Sequence, residues 1–189
     1  MQQPLILSLD TSFVLNVSLL KGDKVLKHLF LDDGKKALEN LPSVFKALEV
    51  NLSELDALAV SLGIGYSTSL RIGITFMKTL AYVLKKPIVG YENLSLIGKF
   101  VKSPEVRAPI LKVSQNYYHR VFNNQVQSPI LEGLPNCFSI SIKGNASADL
   151  ELDYFPFSIY GGLYALEELS KGGEFSPMSL EPIYMRPAL

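Results

Sequence analysis

Three consecutive residues near the start of the chain, Asp10-Thr11-Ser12, carry side chains that can do chemistry together. They close an apolar run, Leu5–Leu9, that reads as a buried strand. An acid at the end of such a strand, followed by hydroxyls, can hold magnesium-bound water and phosphate oxygens. The competing reading is a turn in which Asp10 and Thr11 satisfy nearby backbone N–H groups. An ATPase built on this plan also needs a second glycine-rich phosphate loop and an adenosine pocket later in the chain. Lys143-Gly144-Asn145 and Gly161-Gly162 are isolated runs of low specificity, so the turn is favoured over catalysis.

Gly63 and Gly65 lie between a second apolar run (57–62) and a helical stretch, where a phosphate loop would sit. They lack the Gly-Lys-Ser/Thr ending of a nucleotide loop and the third glycine of a dinucleotide fingerprint. A tight turn that sets the helix close to its strand is the expected role. Metal chemistry is short of ligands: the two histidines, His28 and His119, are far apart in sequence and Cys137 is the single cysteine. No metal site and no cofactor is expected, and Cys137 reads as a packed thiol.

The elements that would position these residues follow in order. Residues 4–12, 14–20 and 24–31 read as an antiparallel meander, the last two joined by Gly22-Asp23. A helix follows over Lys35–Leu48, with Leu38, Leu41, Phe45 and Leu48 on one face. The strand at 57–62 and the long helix Arg71–Lys86 come next, with Ser67, Thr68 and Ser69 as candidate caps. Pro87 ends that helix, and a strand (88–91) and a short helix capped by Asn93 or Ser95 complete the first half. Beyond Lys102 the pattern weakens to strands at 108–114, 119–127 and 137–142, and a helix over Ser158–Lys171 that ends at Gly172-Gly173.

The long helix has an unusual circumference. Arg71, Lys78 and Lys85 form one narrow stripe at about 100° per residue, flanked by Thr75, Tyr82 and Lys86. The remaining arc is apolar and about twice as wide as an ordinary surface helix needs. One reading buries this arc within the domain; the other turns part of it toward a second protein.

Composition narrows the function classes. With 48% hydrophobic residues in 189, the chain can bury a real core. Its 18 basic and 18 acidic residues balance, so gripping nucleic acid unaided is not expected. The single cysteine fits a reducing compartment. The run Leu5–Leu9, broken by Asp10, is too short for a signal peptide, and no stretch is long enough to span a membrane. A cytoplasmic protein is expected.

The order β-β-β-α-β-α suggests one half of an actin-like ATPase fold, and specific motifs point further. Ile6-Leu7-Ser8-Leu9-Asp10-Thr11-Ser12 resembles the first strand of the TsaB (YeaZ) family, I-L-A-L-D-T-S. Gly63–Gly73, reading GIGYSTSLRIG, is similar to that family's G-P-G-S-F-T-G-L-R-I-G. Lys78-Thr79-Leu80-Ala81 is similar to its K-G-L-A, and Pro182-Ile183-Tyr184-Met185-Arg186 to its late P-L-Y-L-R. Ile64, Tyr66, Ser67 and Ser69 depart from the motif. The resemblance covers residues 5–95 and the tail.

That resemblance implies an α/β, actin-like ATPase (ribonuclease H-like) fold in two lobes with mixed sheets flanked by helices. The expected boundaries are 1–101 for the first lobe and 102–189 for a reduced second one. It implies a degenerate nucleotide site at Asp10, Thr11 and Ser12. The implied function is a non-catalytic scaffold that dimerises with its catalytic paralogue TsaD. With TsaE and a carbamoyl-adenylate synthase, such a set installs threonylcarbamoyl on tRNA adenosine, and tRNA would be met only through the assembled complex. The same patch could support a homodimer. Leu38, Leu41, Phe45, Leu70, Ile74, Met77 and Ala81 are the expected interface, with Ile74, Met77 and Ala81 outward. Gly63, Gly65 and Arg71 are expected to fix the turn, Arg71 through backbone carbonyls. The rival, kept open by Asp10-Thr11-Ser12, is a small ATP-binding kinase-like or ATPase protein of the same superfold.

Overall fold

The computed structural model describes residues 3–31 and 37–185, except for the side chains of Ala37 and Leu38. The chain forms two compact units, residues 1–91 with 156–189, and residues 92–155. This differs from the expected 101/102 boundary. The reason is the last helix, which packs back on strands of the first unit.

The first unit holds β1 (Leu5–Asp10), β2 (Leu15–Lys21), β3 (Lys24–Leu31), α1 (Ala37–Leu48), β4 (Ala57–Gly63), α2 (Ser67–Leu84) and β5 (Ile88–Glu92). Its sheet order is β3-β2-β1-β4-β5. The first three strands are the expected antiparallel meander, and β4 pairs parallel to β1. Parallel pairing needs a crossover, which α1 supplies. The register aligns Leu7 with Leu19 and Leu58, and Leu9 with Val17 and Val60. These side chains share one sheet face and one core with Leu41, Val44 and Leu48 of α1 and with the inward residues of α2. The helices also touch directly: the Phe45 and Phe76 rings meet edge to face at 4.7 Å between centroids.

In the second unit, α3 (Asn93–Phe100) is capped by Glu92, whose carboxylate accepts from the Leu94 and Ser95 amides. Strands β6 (Val106–Val113), β7 (Asn116–His119), β8 (Phe122–Asn123), β9 (Val126–Gln127), β10 (Leu131–Glu132), β11 (Ser139–Ile142) and β12 (Leu150–Leu152) form a mixed sheet along the path β10-β7-β6-β11-β12. The chain then returns to the first unit as α4 (Phe157–Lys171), which packs against β1, β2 and β4. The mixed sheets and the β3-β2-β1-β4-β5 order make this an actin-like, ribonuclease H-like fold.

Candidate functional site

The candidate site lies where β1 ends, inside the first unit. Asp10 and Ser12 are completely buried and Thr11 nearly so. Asp10 Oδ1 accepts from the Ser12 amide at 3.0 Å, and Oδ2 accepts from Asn16 Nδ2 at 3.1 Å. Burial holds the Asp10 carboxyl above its ordinary value, against the opposing pull of these hydrogen bonds. Thr11 Oγ1 donates to the Ser69 carbonyl at 2.7 Å. The acid and the threonine hydroxyl thus each hydrogen-bond to the protein itself.

The Gly63–Gly65 turn packs closely on this segment. The Tyr66 amide donates to the Ser12 carbonyl at 2.8 Å, drawing the turn onto this segment. A Cβ at Gly65 would lie 2.5 Å from Ser12 Cβ and 2.6 Å from its Cα and carbonyl oxygen. A Cβ at Gly73, in the second turn of α2, would collide with Thr11 Oγ1. Gly63 has φ +120°, a conformation that only glycine adopts readily. The glycines let the turn and α2 approach Ser12 and Thr11 more closely than a residue with a side chain would. Tyr66 caps α2 without a side-chain bond, so the three hydroxyl residues expected as caps sit in its first turn.

Arg71 is not where the motif suggested. Its side chain is exposed and its guanidinium lies over the Tyr184 ring at 5.2 Å. The turn is held instead by the Thr11 bond to the Ser69 carbonyl and by the glycine contacts. Lys78, on the same stripe, donates to the Leu180 carbonyl at 2.8 Å.

Those two contacts also overturn the assignment of the interface. The C-terminal segment covers the flank of α2 that borders the Arg71–Lys78 stripe. Leu70, Ile74, Met77 and Ala81 are core residues, with Met77 0% and Ile74 3% exposed. Leu41 is likewise buried, and Phe45 is partly buried against Phe76. The Leu38 side chain lies outside the described residues. Solvent instead meets the opposite flank: Thr68, Thr75, Thr79 and Val83 are exposed, with Ile72 and Phe76 half-buried beside them. The apolar arc is wide because α2 packs on the sheet, on α1 and under the tail at once.

Sequence reasoning missed a buried polar chain behind Asp10. Asn16 faces Asp10 across the β1–β2 register and accepts the Ser158 amide on Oδ1 at 2.9 Å. The Ser158 and Ser18 hydroxyls are 2.7 Å apart, and Ser18 Oγ lies 2.8 Å from His28 Nδ1. Burial lowers the His28 imidazole below its ordinary value. The Tyr91 hydroxyl donates to the Leu9 carbonyl at 2.9 Å. The available signal was parity: a hairpin at Gly22-Asp23 puts Asn16, Ser18 and His28 on one face, with Asp10 beside them. Among the described residues, no group of three or more His, Cys, Asp or Glu side chains gathers where a metal could bind. No described helix is long and apolar enough to cross a membrane.

Fold and site together define a protein of actin-like, ribonuclease H-like fold in which the segment closing β1 is buried against a glycine turn and α2. Comparison with known proteins narrows this. A family model described as "TsaD: tRNA N6-adenosine threonylcarbamoyltransferase" matches residues 35–111. The tRNA threonylcarbamoyladenosine biosynthesis protein TsaB of Bacillus subtilis is 31% identical over 98 residues, 49% of this chain and 43% of that protein. A tRNA N6-adenosine threonylcarbamoyltransferase of Fervidobacterium nodosum is 26% identical over 182 residues, 74% of this chain and 54% of that protein. The chain thus spans about half, or less, of the length of these curated relatives. The solved structure of YeaZ from Pseudomonas aeruginosa superposes with a TM-score of 0.75 at 20% identity, over 95% of this chain and all of the other. The chain is thus similar to TsaB in sequence over about half its length and to YeaZ in fold, and similar to TsaD over residues 35–111.

Proposed function

We infer that the chain is a non-catalytic scaffold subunit for tRNA threonylcarbamoyladenosine formation, pairing with a TsaD-type transferase that performs the chemistry. The observation that supports this is the buried Asp10–Ser12 segment: the Asp10 carboxyl is hydrogen-bonded within the protein, and Gly65 and Gly73 bring the turn and α2 against Ser12 and Thr11. A subunit that has surrendered this position serves by binding. The surface proposed for the partner is the α1/α2 pair, centred on Thr75, Thr79 and Ile72 with the Phe45–Phe76 contact behind them. Two such helices from each partner would make a four-helix contact, in which apolar burial contributes about 25 cal/mol per Å² before association costs. A TsaE-type ATPase would join the pair, and without the transferase the same face would support a homodimer.

Titration calorimetry with magnesium-ATP tests the non-catalytic half of this reading. No micromolar binding is expected. Micromolar binding that disappears in Asp10→Ala would establish the kinase-like alternative instead.

A further inference from the structure

Helix α2 and its two-lysine extension, residues 67–86, carry four of the 18 basic residues and none of the 18 acids. Arg71, Lys78 and Lys85 stand two turns apart along about 21 Å of helix. They lie on the flank away from α1, next to the C-terminal segment. Glu174 and Glu181, the acids of that segment, form no ion pair with them among the described residues. Aromatic rings are exposed between the charges. Tyr82 is 71% exposed and Tyr184, under the Arg71 guanidinium, is 48% exposed. At the end of the stripe a hollow of about 550 Å³ opens between Tyr82, Lys85, Lys86, Phe175 and Pro177.

We propose that this stripe and hollow form a contact surface for single-stranded RNA. Spaced cations follow a phosphate backbone, and exposed rings accept unstacked bases. An acidic protein segment would use the charges but has no need of the open Tyr82 ring beside Lys85 and Lys86. A duplex would use the phosphate contacts and leave the hollow over Phe175 empty. The proposal rests on the scaffold reading only in taking RNA as the polyanion. The hollow is also lined by Val83, so this surface borders the partner surface at Thr75, Thr79 and Val83, and the two are told apart by the variants below.

The test is fluorescence anisotropy of a labelled, unstructured single-stranded RNA titrated with the full chain, without a partner, across a salt series. Binding at low salt is expected, weakening with a logarithmic slope of roughly −2 to −3 for three to four phosphate contacts. Arg71→Gln with Lys85→Asn and Lys86→Gln should lower affinity at least tenfold and flatten that slope, with the melting temperature kept. Tyr82→Ala should weaken single-stranded binding several-fold and leave duplex RNA unaffected. Thr79→Arg, which should block partner capture, adds a cation and should leave RNA binding intact, so the two proposals fail separately. Unchanged anisotropy with the wild-type chain at low salt would overturn the proposal. So would undiminished binding by the triple variant, or tighter binding of a polyglutamate peptide or of anionic vesicles.

Discussion

Gly73→Ala asks directly whether α2 is seated on the Asp10–Ser12 segment. At an unobstructed helix position the change would stabilise by about 1 kcal/mol, because alanine is the better helix former. Here the new methyl would collide with Thr11 Oγ1 and meet Cγ2 at 3.0 Å. Relief requires Thr11 to rotate, which breaks its bond to the Ser69 carbonyl, a loss of about 1 kcal/mol. Overpacking adds about 1–3 kcal/mol, so the net effect is a destabilisation of about 1–3 kcal/mol. At about 2–4 °C per kcal/mol for a chain of this size, the melting temperature should fall measurably. Thr11→Ala removes both clashing atoms, so Gly73→Ala in that background should cost nothing or stabilise slightly. Urea unfolding of the four species gives the coupling, expected at about 1–3 kcal/mol with constant m. Gly73→Ala that stabilises the wild type, or that costs as much without the Thr11 side chain, would refute the seating.

Met77→Asp should abolish a cooperative unfolding transition, since an unpaired carboxylate at a fully buried position costs about 4 kcal/mol or more; circular dichroism on heating checks it. His28 is held below its ordinary value of 6.5, so the unfolded chain binds the proton first and stability should fall as pH drops below 6.5. His28→Gln should remove that part of the decline, measured as urea midpoints from neutral to mildly acidic pH; an equal decline in both proteins would show that His28 is not its source. Asp10 has the opposite sign: its raised carboxyl makes stability fall as pH climbs above the unfolded value of 3.8, and Asp10→Asn should flatten that slope in the same assay.

Much of the first unit was legible because its signals are local. The Gly22-Asp23 turn fixes the hairpin, and apolar runs ending in glycine or proline mark β4, α2 and β5. The Gly63–Gly65 turn is expected to set the helix close to its own strand, whereas the close approach at Gly65 is to Ser12, just beyond β1. What failed depended on distant partners. The outward side of α2 was assigned to Ile74, Met77 and Ala81 because they border the basic stripe. That flank is covered by residues about a hundred positions later, through Lys78 to Leu180 and Arg71 to Tyr184. No periodicity within the helix encodes such a cover. The return of α4 to the first unit was hidden for the same reason, since its Ser158 contacts are to Asn16 and Ser18. The strands between 122 and 132 are two residues long, too brief for any alternation to register.

The central claim is that this chain works by holding a TsaD-type partner on the open flank of its α1/α2 pair. Sedimentation velocity of the purified chain mixed with the TsaD-type protein of the same organism measures that claim directly. A one-to-one complex should form with the wild type and be lost in Thr79→Arg, whose exposed position leaves the monomer folded. Two species that sediment independently, or a complex that Thr79→Arg leaves unchanged, would contradict it.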